Sequence, residues 1–158
     1  MRLRHLPLCL LLSSLATAAS ARAQAVRVSV STGGAQVSGA SDQPVLSENG
    51  RYIAFRSYAP DVVPGDTNGV ADVFVHDNVA RRTIRVSVAA DGAEANGASG
   101  TPSISGDGRW VGFASFASNL VPGDTNGVVD VFAHDRDVDA NGVFDEPGAT
   151  TTIRVSVA

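Results

Sequence analysis

Residues 135–146 form an acidic segment in which oxygen-bearing side chains recur at alternate positions. Asp137, Asp139 and Asn141 occupy positions one, three and five of an EF-hand-type calcium loop, with glycine at position six. Asp145 falls at position nine. Alternate side chains of such a loop turn toward one centre, while the glycine permits a sharp bend. Because these ligands are hard oxygens, they suit Ca²⁺ better than a transition metal. The segment therefore predicts a calcium site.

This ligand set departs from the EF-hand pattern at its last position. Position twelve is Gly148 instead of a bidentate glutamate, and no helical pattern flanks the loop. Glu146 is the candidate substitute. The alternative interpretation is a solvated acidic hairpin tip that binds nothing tightly. The candidate ligands are Asp137, Asp139, Asn141, Asp145 and Glu146.

A weaker version of the same spacing occurs twice, in the sequence Pro-Gly-Asp-Thr-Asn-Gly. Its position one is Pro64 or Pro122, which has no side-chain oxygen. We favour an Asx-type turn, in which Asp and Asn accept hydrogen bonds from nearby amides and Gly takes positive φ. Weak calcium binding at extracellular concentrations is the alternative. The weaker candidate ligands are Asp66, Asn68 and Asp72 in one copy, and Asp124, Asn126 and Asp130 in the other.

Two His-Asp pairs, His76-Asp77 and His134-Asp135, invite comparison with a catalytic base and its orienting carboxylate. Neighbouring residues of a strand point to opposite faces, so the two members of a pair do not readily contact each other. No serine-centred elbow and no further histidine cluster accompany them. We interpret both histidines as structural hydrogen-bonding groups and expect the protein not to be an enzyme.

The elements that carry these residues belong to a tandem duplication. Residues 27–77 align with residues 85–135 without a gap, and 29 of the 51 aligned positions are identical. The sequence Arg-Val-Ser-Val occurs at 27–30, at 85–88 and at 154–157. Such self-similarity indicates one structural unit present twice. We divide the chain into residues 24–88, the first repeat with its preceding strand, and 89–158, the second repeat with an insertion at 135–148.

Each repeat carries the pattern of four short strands. Asn49-Gly50 and Asp107-Gly108 favour two-residue hairpin turns. Period-two alternation and β-branched residues predict strands on both sides of these turns and in the two segments that follow. No segment after residue 23 shows a helical period. The predicted fold is all-β, with two four-stranded antiparallel meanders. The predicted strands are 44–47, 51–57, 72–76 and 83–88, and then 102–105, 109–115, 130–134 and 151–157.

The repeated set of motifs resembles the WD-type β-propeller repeat of TolB-like proteins. The resemblance rests on Ser-x-Asp-Gly-Arg-aromatic followed by an apolar strand at 105–113, on Asp-Val-Phe-x-His-Asp, and on the closing Thr-Ile-Arg-Val-Ser-Val. It implies propeller blades and protein–protein contact in the cell envelope. Such propellers close with six to eight blades, and this chain carries two. We therefore expect a fragment of a longer product, a ring of several chains joined through open blade edges, or a two-blade unit that is stable alone.

The N-terminal segment has the pattern of an export signal. Two arginines precede a short apolar run, and Ala21-Arg22-Ala23 matches a signal-peptidase site. We predict a signal peptide over residues 1–23, a secreted or periplasmic protein, and no transmembrane segment after cleavage. Cys9 is the chain's one cysteine and lies within this signal, so no disulfide is expected. The chain contains no lysine and is acidic, which argues against nucleic-acid binding.

These observations favour a non-catalytic repeat module that binds a protein or another ligand, stabilised by Ca²⁺. Two alternatives stay open: an accessory domain or fragment of a propeller-containing hydrolase, and a surface adhesin. Fold alone does not choose among them, because function resides in sites that vary within a fold.

Overall fold

The structure, a computed structural model, describes residues 25–157. These residues contain eight β-strands and no helix. The predicted signal peptide, residues 1–23, lies outside the described part. The strands are β1 (Ser41–Leu46), β2 (Tyr52–Ser57), β3 (Asp72–Asp77), β4 (Arg82–Arg85), β5 (Ser99–Ile104), β6 (Trp110–Ser115), β7 (Asp130–Asp135) and β8 (Thr151–Arg154).

Each repeat folds into one antiparallel sheet whose strands pair in chain order. The first sheet is β1-β2-β3-β4 and the second is β5-β6-β7-β8. The all-β class and the two four-stranded meanders predicted from the sequence are confirmed, and both sheets have the strand order of propeller-type blades. Among residues 25–157 there is no helix long and apolar enough to cross a membrane.

The two sheets repeat the same irregularity in their first pairing. The register of β1 against β2 shifts between Asp42 and Val45, and that of β5 against β6 shifts between Gly100 and Ser103. Gln43 and Thr101 lie at these bulges with φ of 53° and 47°. A bulge places one extra residue in the strand and bends it. Here the bend brings the Gln43 side chain to the other sheet, where its Oε1 accepts a hydrogen bond from Thr101 N at 2.7 Å.

The first hairpins differ from the predicted two-residue turns. Ser47 N donates to Tyr52 O, so four residues, 48–51, lie between the last hydrogen-bonded pair of the hairpin. Of the residues in this connection, only Gly50 has positive φ, whereas a type I′ turn needs it at two positions. The Asn49 side chain accounts for the longer turn, because its Oδ1 accepts a hydrogen bond from Arg51 N at 2.9 Å. Asp107 does the same for Arg109 N in the second repeat.

The closing strands end three residues earlier than predicted. Val86 N and Ser87 N both donate to Val73 O, at 2.9 and 3.4 Å, and this shared acceptor interrupts the ladder after Arg85. The second repeat repeats the arrangement with Val155 N, Ser156 N and Val131 O. Alternation of Val and Ser continues past the point where regular pairing stops, which explains the overlong prediction.

Two buried apolar clusters hold the molecule together. The smaller lies within the first repeat, where Phe55 stacks on Phe74 with ring centroids 5.8 Å apart. The larger joins the repeats, because one face of the first sheet packs on the face of the second that carries Phe113 and Phe132. The second sheet thus covers the first. The larger cluster comprises Tyr52, Ala54, Val73, Val75, Val86, Ala95, Val111, Phe113, Ala117, Leu120 and Phe132.

Candidate functional site

The acidic insertion folds back over the first repeat instead of projecting into solvent. Its buried Arg136 lies over the Tyr52 ring at 4.7 Å, and Phe144 packs on the same ring with centroids 5.4 Å apart. Arg136 also donates to Gly108 O at 2.7 Å. The insertion therefore closes one side of a cavity of about 220 Å³ between the two repeats, lined in part by Arg51, Asp77 and Arg82.

The carboxylates of this insertion have separate partners. Asp137 is buried and accepts hydrogen bonds from Asn141 N at 3.1 Å and Gly142 N at 3.0 Å. Asp145 forms a two-oxygen ion pair with Arg136, with contacts of 2.8 and 2.5 Å. Through these contacts, the two predicted ligands stabilise the conformation of the loop. Sequence reasoning missed Arg136, whose position immediately before Asp137 gave no indication of its ion pair.

The other three predicted calcium ligands meet near the surface of the loop. Asn141 Nδ2 donates to Asp139 Oδ2 at 3.1 Å and to Glu146 Oε2 at 2.7 Å. The five predicted ligands are therefore divided between this trio and the two loop-holding carboxylates. Within residues 25–157 no group of three or more His, Cys, Asp or Glu side chains is arranged to hold a metal ion.

The weaker candidate ligands of the first repeat surround an arginine. Arg85 Nη1 lies 3.2 Å from Asp66, 3.4 Å from Asp72 and 2.9 Å from Glu94, all measured to carboxylate oxygens. Burial raises the pKa of Asp72, and burial together with the charge of Asp72 raises that of Asp66. The guanidinium supplies the positive charge that this cluster of carboxylates needs.

The second repeat has the same arrangement with one acid fewer. Arg154 Nη1 lies 2.9 Å from Asp124 and 3.7 Å from Asp130. A hydrogen bond from Ser156 lowers the pKa of Asp130, with a further contribution from Asn126. The missing partner corresponds to Glu94, which belongs to the start of the second repeat and completes the cluster of the first.

The predicted Asx-type turn is present at the asparagine of both duplicated loops. Asn68 Oδ1 accepts from Val70 N at 3.0 Å, and Asn126 Oδ1 accepts from Val128 N at 3.0 Å. Gly69, within the first of these turns, has a φ of 68°. The aspartates of the loops pair with arginine instead. The sequence feature that could have indicated this pairing is the arginine of the repeated Arg-Val-Ser-Val sequence.

Both histidines make the structural hydrogen bonds that the sequence predicted. His76 Nδ1 lies 2.9 Å from Thr83 Oγ1, which donates its proton to Val30 O at 2.9 Å. Since the hydroxyl proton is used, Nδ1 must be protonated in this contact. His134, Thr152 and Val88 O repeat the series. Burial lowers the pKa of His134 to about 4, and it also lowers the pKa of His76. Each histidine thus ties its repeat to the Arg-Val-Ser-Val segment that precedes it.

The aspartates beside the histidines face other partners. Asp77 pairs with Arg51 at 2.8 Å and Asp135 pairs with Arg109 at 2.7 Å. The expectation that neighbouring His and Asp residues do not contact each other is confirmed. Hydrogen bonding to Arg109 lowers the pKa of Asp135.

The largest difference between the repeats is the exposure of one sheet face. Val73 and Val86 of the first sheet are fully buried beneath the second repeat. Their counterparts Val131 and Val155 are 46% and 48% exposed. Ile153, the counterpart of Ile84, is 45% exposed. We call Trp110, Val131, Ile153 and Val155 the open face of the second sheet.

Comparison with known proteins finds a weak structural similarity and no family. No protein-family model matches the chain, and no curated protein matches it either. A solved structure of the tricorn protease matches with a TM-score of 0.42 and 15% identity, over 73% of this chain and 13% of the protease chain. The chain corresponds to a small part of that protein's length. The TolB-like, WD-type assignment therefore stays a prediction, whereas the two blade-like sheets are observed directly.

Proposed function

We propose that this chain is a non-catalytic, extracytoplasmic repeat module that binds protein through the open face of its second sheet. The observation that carries the proposal is the exposure of Val131, Ile153 and Val155, whose counterparts in the first sheet are packed against protein. Contiguous exposed apolar surface is typical of protein contact sites. Export from the cytoplasm is supported by the signal-peptide pattern of residues 1–23.

The absence of catalysis is supported by the use of the titratable side chains. The two histidines bond to threonine hydroxyls, and the aspartates beside them bond to arginines. These groups stabilise the sheets, and none of them forms a nucleophile–base pair in the described residues. The alternatives of an accessory domain of a hydrolase and of a surface adhesin involve the same kind of non-catalytic contact by this chain.

Photo-crosslinking in the cells that produce the chain tests the binding surface. A benzophenone amino acid placed at Ile153 is expected to give discrete protein adducts on irradiation. The same group at Val79, an exposed apolar residue in the turn between β3 and β4, serves as the control. If Ile153 gives no adduct beyond those of the Val79 control, the proposed binding surface is wrong.

We also propose that the insertion loop binds Ca²⁺ weakly, through Asp139, Asn141 and Glu146. Support comes from the two carboxylates, which converge on the Asn141 amide because Nδ2 donates to both. Coordination of Ca²⁺ would require this amide to turn, so that Oδ1, which accepts a hydrogen bond from Val143 N, faces the carboxylates. Oxygen ligands of this kind suit Ca²⁺. Asp145 would join them only by leaving Arg136.

Calorimetric titration tests this calcium proposal. Millimolar Ca²⁺ is expected to release or absorb heat and to raise Tm, and Asp139→Asn is expected to remove both effects. Asp91→Asn, at an exposed acid in another loop, is the matched control. A wild-type chain that shows neither heat nor a Tm change would contradict the proposal.

A further inference from the structure

We propose that the open face of the second sheet is covered by the first repeat of a second copy of this chain. The two copies would pack head to tail, as the second repeat packs on the first within one molecule. This inference rests on the proposed function, since it names the protein that the open face binds.

The interface between the two repeats indicates which kind of surface can pack on the open face. Within the chain, the face of the first sheet that carries Val73 and Val86 is covered by β5 and by the apolar side chains of the second repeat. Val131 and Val155 repeat those valines at the same positions of β7 and of the segment after β8. The first sheet uses this surface to pack on a repeat within the molecule. The second sheet carries the equivalent apolar side chains, so it has the chemistry to pack on a repeat as well.

The part of the complementary surface formed by β1 is exposed on the first repeat of the same molecule, whereas Phe55 and Phe74, the counterparts of Phe113 and Phe132, are already buried within that repeat. In the second repeat, Pro102 is buried and Ile104 packs against the shared core. Their counterparts Pro44 and Leu46 are exposed, Leu46 by 61%. A cavity of about 420 Å³ lies beside them. Each copy therefore has both halves of one interface on different sides, which is the requirement for heterologous assembly into rings or filaments.

Polar groups at the edge of the open face are also placed to bond to the first repeat of a second copy. Within the chain, Thr67 N donates to Glu94 at 3.1 Å, and Asn68 Nδ2 donates to Ala95 O at 3.0 Å. Ser99 N donates to Ala71 O at 2.8 Å. The first-repeat groups recur in the second repeat as Thr125, Asn126 and Val129, and a second copy would present Gln36, Val37 and Ser41 to them. A glutamine at position 36 supplies a carbonyl oxygen where Glu94 supplies a carboxylate.

One segment must move for two copies to join. Residues 27–30 lie on the first repeat as residues 85–88 lie on the second, because Thr83 bonds to Val30 O as Thr152 bonds to Val88 O. In the assembly, residues 154–157 of one copy would occupy the place of residues 27–30 of the next. Residues 25–27 are exposed, whereas Val155 and Ser156 are fixed to Val131 by backbone hydrogen bonds. The N-terminal segment of the incoming copy is therefore the one displaced.

A disulfide between two differently substituted chains tests this register. A Cβ built on Gly106 lies 3.3 Å from the Glu48 Cβ, close to the roughly 3.5–4.5 Å of a disulfide. Because these two residues are counterparts in the repeat, the proposed packing also joins Gly106 of one copy to Glu48 of the next. Glu48→Cys and Gly106→Cys are made in separate chains, each also carrying Cys9→Ser, and the chains are mixed under oxidising conditions. The variant with both cysteines in one chain is the control for geometry.

The expected result is a disulfide-linked pair in the mixture and in neither single variant, with a molar mass by light scattering that is a multiple of the chain mass. Val131→Glu with Ile153→Glu should reduce that mass to one chain, and Val79→Glu should not.

A mass of one chain at every concentration would overturn the inference, whether or not the control disulfide forms. If Ile153 then crosslinks to a different protein in cells, the proposed function stands and the identity of the partner is what fails. If it crosslinks to nothing, both fail.

Discussion

The buried histidines link the stability of this protein to pH. The pKa of His134 is about 4 in the folded chain because the ring is buried, against about 6.5 when unfolded. A depressed pKa of a base means that its stabilising contribution is complete above the unfolded value and is lost as pH falls toward the folded value. The free energy of unfolding should therefore fall by about 3 kcal/mol between pH 6.5 and pH 4.

His134→Gln isolates this contribution. Glutamine can donate to Thr152 but does not titrate in this range, so the pH dependence of its unfolding free energy should be flatter than that of the wild type. Urea unfolding at a series of pH values measures the difference. Asp135→Asn is a useful comparison, since the pKa of Asp135 is lowered and its effect should appear at more acidic pH. Parallel profiles for wild type and His134→Gln would show that the histidine does not cause the loss.

The arginines of the repeated Arg-Val-Ser-Val sequence differ in how much they stabilise. Arg85→Met leaves Asp66, Asp72 and Glu94 facing one another without a cation, and we expect a loss of about 3–5 kcal/mol. Arg154→Met removes a more exposed arginine with two acidic partners, so the loss should be smaller because solvent screens the exposed pair. Denaturant unfolding of the two variants measures both. Equal losses would contradict the dependence on burial and on Glu94.

At the scale of the strands, a glycine determines how closely the two sheets approach. Gly108 lies against Tyr52, and an added Cβ would come within 2.1 Å of the ring atom Cδ2. Its counterpart Gly50 has nothing within 4 Å. Both residues have positive φ, so an alanine costs roughly 1 kcal/mol of backbone strain at either position.

Gly108→Ala should therefore destabilise the protein by about 1–3 kcal/mol more than Gly50→Ala, because only the former forces the sheets apart. Thermal unfolding of the two variants provides the measurement. Since both positions have positive φ, most of the backbone strain cancels, and their difference reports mainly the contact between the repeats. Similar Tm values would mean that the insertion loop and Tyr52 adjust without cost.

Strand order was predictable from the sequence because each repeat is a meander of local pairings with clear period-two patterns. The hairpin turn was not, since the choice between a two-residue and a four-residue connection depends on where the Asn49 and Asp107 side chains bond. The path of the insertion could not be predicted from the sequence either. Its acidic spacing resembles a calcium loop, whereas the burial of Arg136 over Tyr52 depends on a contact between residues distant in sequence.

For the whole molecule, the consequence of the duplication is that three copies of Arg-Val-Ser-Val serve two repeats. Two of them close the sheets to which they are attached, at residues 85–88 and 154–157. The third, at residues 27–30, lies where a preceding repeat would place its own closing segment. In a head-to-tail assembly it competes with residues 154–157 of the neighbouring copy, and weakening it should favour assembly.

Val26→Ser with Val28→Ser tests this competition. Both valines line the cavity beside Leu46, so the substitutions loosen the segment from the surface that the neighbouring copy would cover. We expect the concentration at which half of the chains are assembled to fall severalfold, as measured by light scattering over a dilution series. Ile153→Ser with Val155→Ser, the matched double change at the equivalent positions of the open face, should raise that concentration instead. If both variants weaken assembly, the N-terminal segment is part of the receiving surface and does not compete for it. The opposite signs expected for two equivalent pairs of side chains separate these cases, because a general loss of apolar surface would move both variants in one direction.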